Sequence, residues 1–210
     1  MEPDTSPRYR FLVAQANSTA SRGLVRWAQR YGECNHVVTI DDAITALAST
    51  PSLTAFVADE ALGGGVGMVL VEAARRVSPR LPILFVSSRA PRAVVARAFR
   101  LDVTLLRSPI SARDVDLFLS RATLTMSRRV ERRSSQLQLF SRTFALSPRQ
   151  EELLLLLSSG VARRELAAQV GMSENTVKTQ VRSILKKTQA HSLEHALYLA
   201  LIDSHDADER

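Results

Sequence analysis

The chain has 210 residues, 45% of them hydrophobic, with 28 Lys and Arg against 21 Asp and Glu for a formal net charge of +7. That length holds two small domains with a core in each; no apolar run could span a bilayer and no apolar leader opens the sequence, so a cytoplasmic chain without membrane contact is expected. Cys34 is the single cysteine, which excludes an internal disulfide and fits a reducing compartment as a plain surface or half-buried thiol, while the positive balance favours a polyanionic partner.

Residues 1–7 read as a short polar tail, and residues 10–14 form a compact apolar run of strand length. Helical spacing follows over 18–31, with Leu24, Trp27 and Ala28 on one face. Residues 36–40 are predicted as a second strand, with Asp41 or Asp42 capping a helix that runs through Leu47. Residues 53–58 (ending at Asp59), 82–86 and 103–106 supply three more strands. Helical stretches at 66–77, at 94–99 and from about Ala112 alternate with them. Short apolar strands alternating with helices predict an α/β fold: a doubly wound, five-stranded parallel sheet covered on both faces. Chemistry in such a sheet belongs at the carboxyl ends of the strands, here Gln15-Ala16, Asp59, Ser87 and Ser108-Pro109.

Gly63-Gly64-Gly65-Val66-Gly67 sits between a strand and a helix, where a dinucleotide-binding loop would lie. The spacing does not fit, because Leu70 stands where a third small residue is needed and no acid follows about twenty residues later. A flexible strand-to-helix loop is the expectation.

From Asp114 onward, Val115, Phe118, Leu119, Ala122, Met126, Val130, Leu137 and Phe140 can be threaded onto one long helix. Arg128, Arg129, Arg132 and Arg133 make the same stretch a charge run, and Ser134-Ser135 favours a break. The expected organisation is therefore a domain over 8–122, a linker over 123–143 able to extend the preceding helix, and a second domain over 144–203.

That second domain opens on Ser147-Pro148-Arg149-Gln150, with Ser as N-cap, Pro in the first turn and Gln closing a capping box. Residues 153–157 are all Leu, apolar on every side, so this helix belongs at the centre of a small core. After Gly160, residues 161–182 read as two helices joined by a tight turn at Gly171, with Ser173 as the second N-cap. Val177, Val181, Ile184 and Leu185 share one face of the second helix, and Asn175, Lys178, Thr179, Arg182 and Lys186 lie opposite. Alone, that helix reads equally as an ordinary amphipathic surface helix; the turn and its partner favour a helix-turn-helix whose cationic front suits a major groove. A last helix from Ser192 to Ile202 carries Leu193, Ala196, Leu197, Ala200 and Leu201 as one stripe. This is more apolar surface than packing in one domain needs, so Leu193, Leu197, Ala200 and Leu201 are expected at a dimer contact. Residues 203–210 form an acidic tail.

The first domain resembles the receiver domain of bacterial response regulators over nearly all of residues 8–122. Asp59 takes the place of the family's phosphoacceptor, Ser87 of its hydroxyl residue, Gly67 of its loop glycine and Pro109 of the proline in its Lys-Pro pair. The family's acidic pair is Gln15-Ala16 here, its lysine is Ser108 and its aromatic switch is Leu105. Arg107 is a poor stand-in for the lysine, since adjacent strand residues face opposite ways. Mg²⁺ prefers carboxylate oxygens, and phosphoryl transfer depends on such charge stabilisation. Asp59 and Ser87 are therefore expected to be vestigial, in a receiver that works without Mg²⁺-dependent phosphorylation and holds no metal or cofactor.

The second domain resembles the LuxR/NarL/FixJ-type DNA-binding domain. The resemblance rests on Leu146 to Gln150, Gly160, Glu165-Leu166-Ala167, Ser173, Thr176-Val177-Lys178, Ile184 and Lys187. Gln150 replaces the usual acid, Gln180 the usual histidine and Leu193 the usual arginine. The resemblance implies a four-helix helix-turn-helix domain in which Lys178, Thr179 and Arg182 read base edges. Arg163, Arg164, Thr176, Gln180, Lys186 and Lys187 would hold phosphates. The expected function is a non-enzymatic transcription regulator that binds double-stranded DNA as a homodimer, with a protein or small-molecule partner open at the receiver. Two alternatives stay open: a phosphorylation-dependent regulator using Asp59, and a ligand-sensing transcription factor.

Overall fold

The structure is a computed structural model that describes residues 9–16, 19–50, 52–64 and 67–202. The polar tail, the helix start at Ser18, Gly65 and Val66 of the glycine loop and the acidic stretch 203–210 lie outside the described residues.

Among the described residues, strands β1 (Arg10–Ala14), β2 (Glu33–Val37), β3 (Ala55–Asp59), β4 (Ile83–Ser87) and β5 (Thr104–Arg107) form one sheet in the order β2-β1-β3-β4-β5. Every pairing is parallel. Helices α1 (Thr19–Gln29), α2 (Ile40–Ser49), α3 (Gly67–Val77), α4 (Arg92–Arg100) and α5 (Ala112–Thr143) alternate with and follow the strands. Because successive strand residues face opposite sides, Phe11, Val13, Val57 and Val86 pack with Leu24 and Ala28 of α1 and Val115 and Leu119 of α5. Leu12, Phe56 and Phe85 face the other way, onto Ala43 of α2, Val71 of α3 and Ala98 of α4. Burial on both faces is why β3 and β4 are continuous apolar runs. The strand order reverses between β1 and β3, so Gln15 and Asp59 flank the switch point where doubly wound sheets carry their sites.

The second strand lies three residues earlier than the sequence pattern predicts. β2 is an edge strand, only half-buried or exposed along its length, and Arg10 aligns with Glu33, their side chains 3.6 Å apart. Ile40, taken from its apolarity as strand, begins α2; Thr39 rather than Asp41 or Asp42 is the N-cap, its hydroxyl accepting from the Asp42 N–H.

Arg75 ties the other end of the sheet together. Its guanidinium donates to the carbonyls of Pro79, Leu81, Leu101 and Asp102, joining the ends of α3 and α4 to the approaches of β4 and β5. Partial burial lowers its pKa from the ordinary arginine value.

The chain divides into two compact units between Ser127 and Arg128, inside α5. The stretch expected as a linker is helical throughout, and Ser134-Ser135 does not break it. Leu137 and Phe140 are buried in the core of the second unit. That unit continues with α6 (Pro148–Ser158), a 3₁₀ turn at Arg163–Glu165, α7 (Leu166–Gln169), α8 (Glu174–Thr188) and α9 (Leu193–Leu201). In α6 only Leu153 and Leu154 of the leucine run are fully buried; Leu155, Leu156 and Leu157 are half-buried. The helix before α8 is shorter than the sequence pattern implies, because no side chain caps its 3₁₀ start and the left-handed Gly171 (φ 63°) ends it.

Candidate nucleic-acid interface and strand-end cluster

α8 is built as an amphipathic helix. Ser173 caps it by accepting from the Thr176 N–H at 3.1 Å, and Val177, Val181 and Ile184 bury one face in the core. Lys178, Thr179, Arg182 and Lys186 are exposed on the other side. The Thr179 hydroxyl donates to Asn175 O at 3.0 Å, which engages its hydrogen within the helix and leaves the methyl free. Lys178 lies 3.9 Å from Glu174, an exposed i,i+4 pair of little energetic weight.

Arg163, Arg164 and Lys178 line one hollow of about 420 Å³ between the 3₁₀ turn and α8, so the structure brings these three cations together. Arg164 is highly exposed, 3.6 Å from Glu165, and Thr176, also exposed, shares a hydroxyl bond with Ser173 at 2.8 Å. Gln180 and Lys187, grouped with the phosphate contacts in the sequence, are placed differently. The Lys187 ammonium donates to Ala145 O at 2.6 Å and Gln150 Oε1 at 3.0 Å, while the residue itself stays exposed. The Gln180 carbonyl oxygen accepts from Gln150 Nε2 at 3.0 Å. Gln150 itself reads from sequence only as a cap residue. Its reach to α8 is not visible there, because its partners stand about thirty residues away.

The stripe expected at a dimer contact splits in two. Leu193 and Ala200, 0% and 7% exposed, are buried in their own domain's core and are corrected to core residues. Both fall on the flank of α9 that this core covers. Leu197 and Leu201 instead line an open apolar hollow of about 570 Å³ with Tyr198 and Ile202, rimmed by Arg133 and Glu194. Hydrogen bonds from its own backbone N–H and from Ser192 hold the Glu194 carboxyl below the usual range.

At the carboxyl edge of the sheet, Gln15 is 5% exposed and its Nε2 donates to Asp59 Oδ2 at 2.5 Å. Asp59 Oδ1 accepts from the Ala61 N–H at 2.8 Å. Ser87 is buried; its hydroxyl donates to Glu60 Oε2 at 2.5 Å and accepts from the Ala90 N–H at 2.7 Å. Glu60 is thus a second carboxylate at this edge that sequence reading missed. It stands just past the strand, where alternation no longer tells which way a side chain turns. Ser108 follows β5, its N–H bonded to Ser87 O, and Leu105 is half-buried against the sheet core. Gly67 opens α3 so close to β3 that a Cβ would fall 2.1 Å from Asp59 O, a contact only glycine allows. Among the described residues no group of three or more His, Cys, Asp or Glu could hold a metal ion, and no helix is long and apolar enough to cross a membrane.

Residues 145–200 match the model for bacterial regulatory proteins of the luxR family. The chain is 29% identical over 160 residues to nodulation protein W of Bradyrhizobium diazoefficiens, covering 75% of this chain and 70% of that protein. It is 23% identical over 168 residues to the transcriptional regulatory protein FixJ of the same species, covering 79% and 82%. The solved structure of full-length FixJ from B. japonicum matches with a TM-score of 0.51 at 18% identity, covering 93% of this chain and 97% of that one, a likeness of fold.

Proposed function

We propose that this chain, a LuxR-type response regulator by its family-matched DNA-binding domain and its receiver fold, reads specific duplex DNA without needing Mg²⁺-dependent phosphorylation. The observation that carries the reading is α8: an exposed front of Lys178, Thr179 and Arg182 over a back buried at Val177, Val181 and Ile184. Lys178 and Arg182 suit guanine O6 and N7, and the free methyl of Thr179 suits a thymine methyl. Arg163, Arg164, Thr176 and Lys186, with the amide nitrogen of Gln180, hold phosphates and set the register. A pair of such readers, related by a two-fold through the Leu197–Leu201 hollow of α9, would face half-sites about one helical turn apart. A DNA partner makes the cytoplasm the site of action.

The receiver end of the proposal rests on Gln15. Its amide occupies Asp59 Oδ2, where a metal-dependent phosphoacceptor needs a free oxygen and neighbouring carboxylates. The receiver then serves as an interaction domain. Glu60, hydrogen-bonded to Ser87, favours the rival in which Asp59 is phosphorylated with Glu60 as the second acid.

Selection of bound duplexes from a random pool, at two salt concentrations and with or without acetyl phosphate plus Mg²⁺, tests both halves. Enrichment of a two-half-site sequence by the untreated protein, unchanged by acetyl phosphate, is the expected outcome. No enrichment under any condition removes the DNA reading, and enrichment that requires acetyl phosphate removes the phosphate-independent one.

A further inference from the structure

Gln150 is 4% exposed, yet every hydrogen-bonding position of its carboxamide is used. Oε1 accepts from the Ser147 N–H and from the Lys187 ammonium, each at 3.0 Å. Nε2 donates to Gln180 Oε1 and to Ser183 Oγ, each at 3.0 Å. An amide has two acceptor and two donor positions, so the group is saturated. Three of the four partners, Gln180, Ser183 and Lys187, belong to α8. Their spacing puts them along one flank of that helix, between the buried Val181–Ile184 side and the exposed Lys178–Arg182 side.

We propose that Gln150 is a positioning residue for DNA recognition, which sets the rotation of α8 about its own axis and orients the Gln180 amide. This deepens the reading of α8 as the DNA reader and rests on it. Apolar packing of Val177, Val181 and Ile184 holds α8 against the core but is non-directional, and it tolerates small rotations. Hydrogen bonds to donors and acceptors at three points along one flank do not, because they weaken steeply with misalignment. The same bonds decide the chemistry presented by position 180. With its oxygen turned to Gln150, the side chain of Gln180 has its NH₂ left to offer, a donor suited to a phosphate oxygen. Lys187 anchors the hub through Gln150 Oε1.

The atom order of the amide matters, and that makes the proposal testable. The substitution Gln150→Glu is isosteric and keeps the Ser147 and Lys187 bonds, but it turns the two donor positions into acceptors. Gln180 and Ser183 could then be satisfied only by reorienting, which turns the Gln180 oxygen outward. The experiment uses the full chain and measures affinity for the selected duplex and for random duplex, together with thermal unfolding. Q150E is expected to lower the ratio of specific to random affinity about tenfold, on top of a smaller loss common to both duplexes from turning the Gln180 oxygen toward the phosphates. Adding a donor opposite the new acid, in Q150E/Q180H, should recover most of the ratio. Q180A/S183A leaves the cap intact and should lose the ratio as Q150E does, which covers the case in which Q150E fails to fold. An unchanged ratio in folded Q150E or in Q180A/S183A, or no recovery in Q150E/Q180H, overturns the positioning role. Failure of the wild-type chain to select any sequence is a separate result and falls on the DNA reading instead.

Discussion

Gln15 Nε2 donates to Asp59 Oδ2 across 2.5 Å at the point where the strand order reverses. The amide gives Asp59 a hydrogen bond without a charge. Gln15→Asp removes that donor and puts a second carboxylate beside Asp59 at the switch point, so like charges face each other a little farther apart than the present hydrogen bond. The variant is expected to unfold at lower temperature than the wild type at neutral pH, and millimolar Mg²⁺ should restore it while leaving the wild type unmoved. An equal Mg²⁺ response in both proteins would show that Gln15 is not what keeps the cation out.

Arg75 should be a stability residue. Its guanidinium serves four backbone carbonyls from two separate chain segments. Arg75→Ala leaves them to water or to nothing, at a cost of roughly 2–3 kcal/mol. Arg75→Lys keeps the charge but not the planar fork, and should recover only part of that loss. Urea unfolding measures both, and a difference between Arg75→Ala and wild type within error would contradict the clamp.

Burial pushes the Cys34 thiol up to about 11. Alkylation needs the thiolate, so at neutral pH the folded protein should react about two orders of magnitude more slowly than an unfolded control with an ordinary thiol near 8.5. The sign for stability follows. Below about 8.5 the thiol is neutral in both states and has no effect; as pH rises toward 11 it ionises first in the unfolded chain, and folding weakens. A rate near that of the unfolded control would place Cys34 in water.

The central strands were legible because burial on both faces writes them as unbroken apolar runs, as at Phe56-Val57-Ala58. β2 was misplaced because an edge strand has no such run, and its register is held by alignment of Glu33 with Arg10, far away in sequence. The two sides of α8 were legible from helical period, since burial and exposure alternate along one element. The stripe of α9 was not, because a wheel groups Leu193 with Leu197 but does not say which flank the core covers. The Gln150 hub was illegible for a related reason: a capping glutamine looks local, while its donors act on Gln180 and Ser183 of another helix.

The most direct test of Lys178 as a base reader is the ratio of affinities for the selected and random duplexes, compared between wild type and Lys178→Ala at one salt concentration. The expected result is a loss of roughly 1–3 kcal/mol on the selected duplex with little change on random DNA. An equal loss on both duplexes would make Lys178 a phosphate contact and contradict the assignment of α8 as the sequence reader.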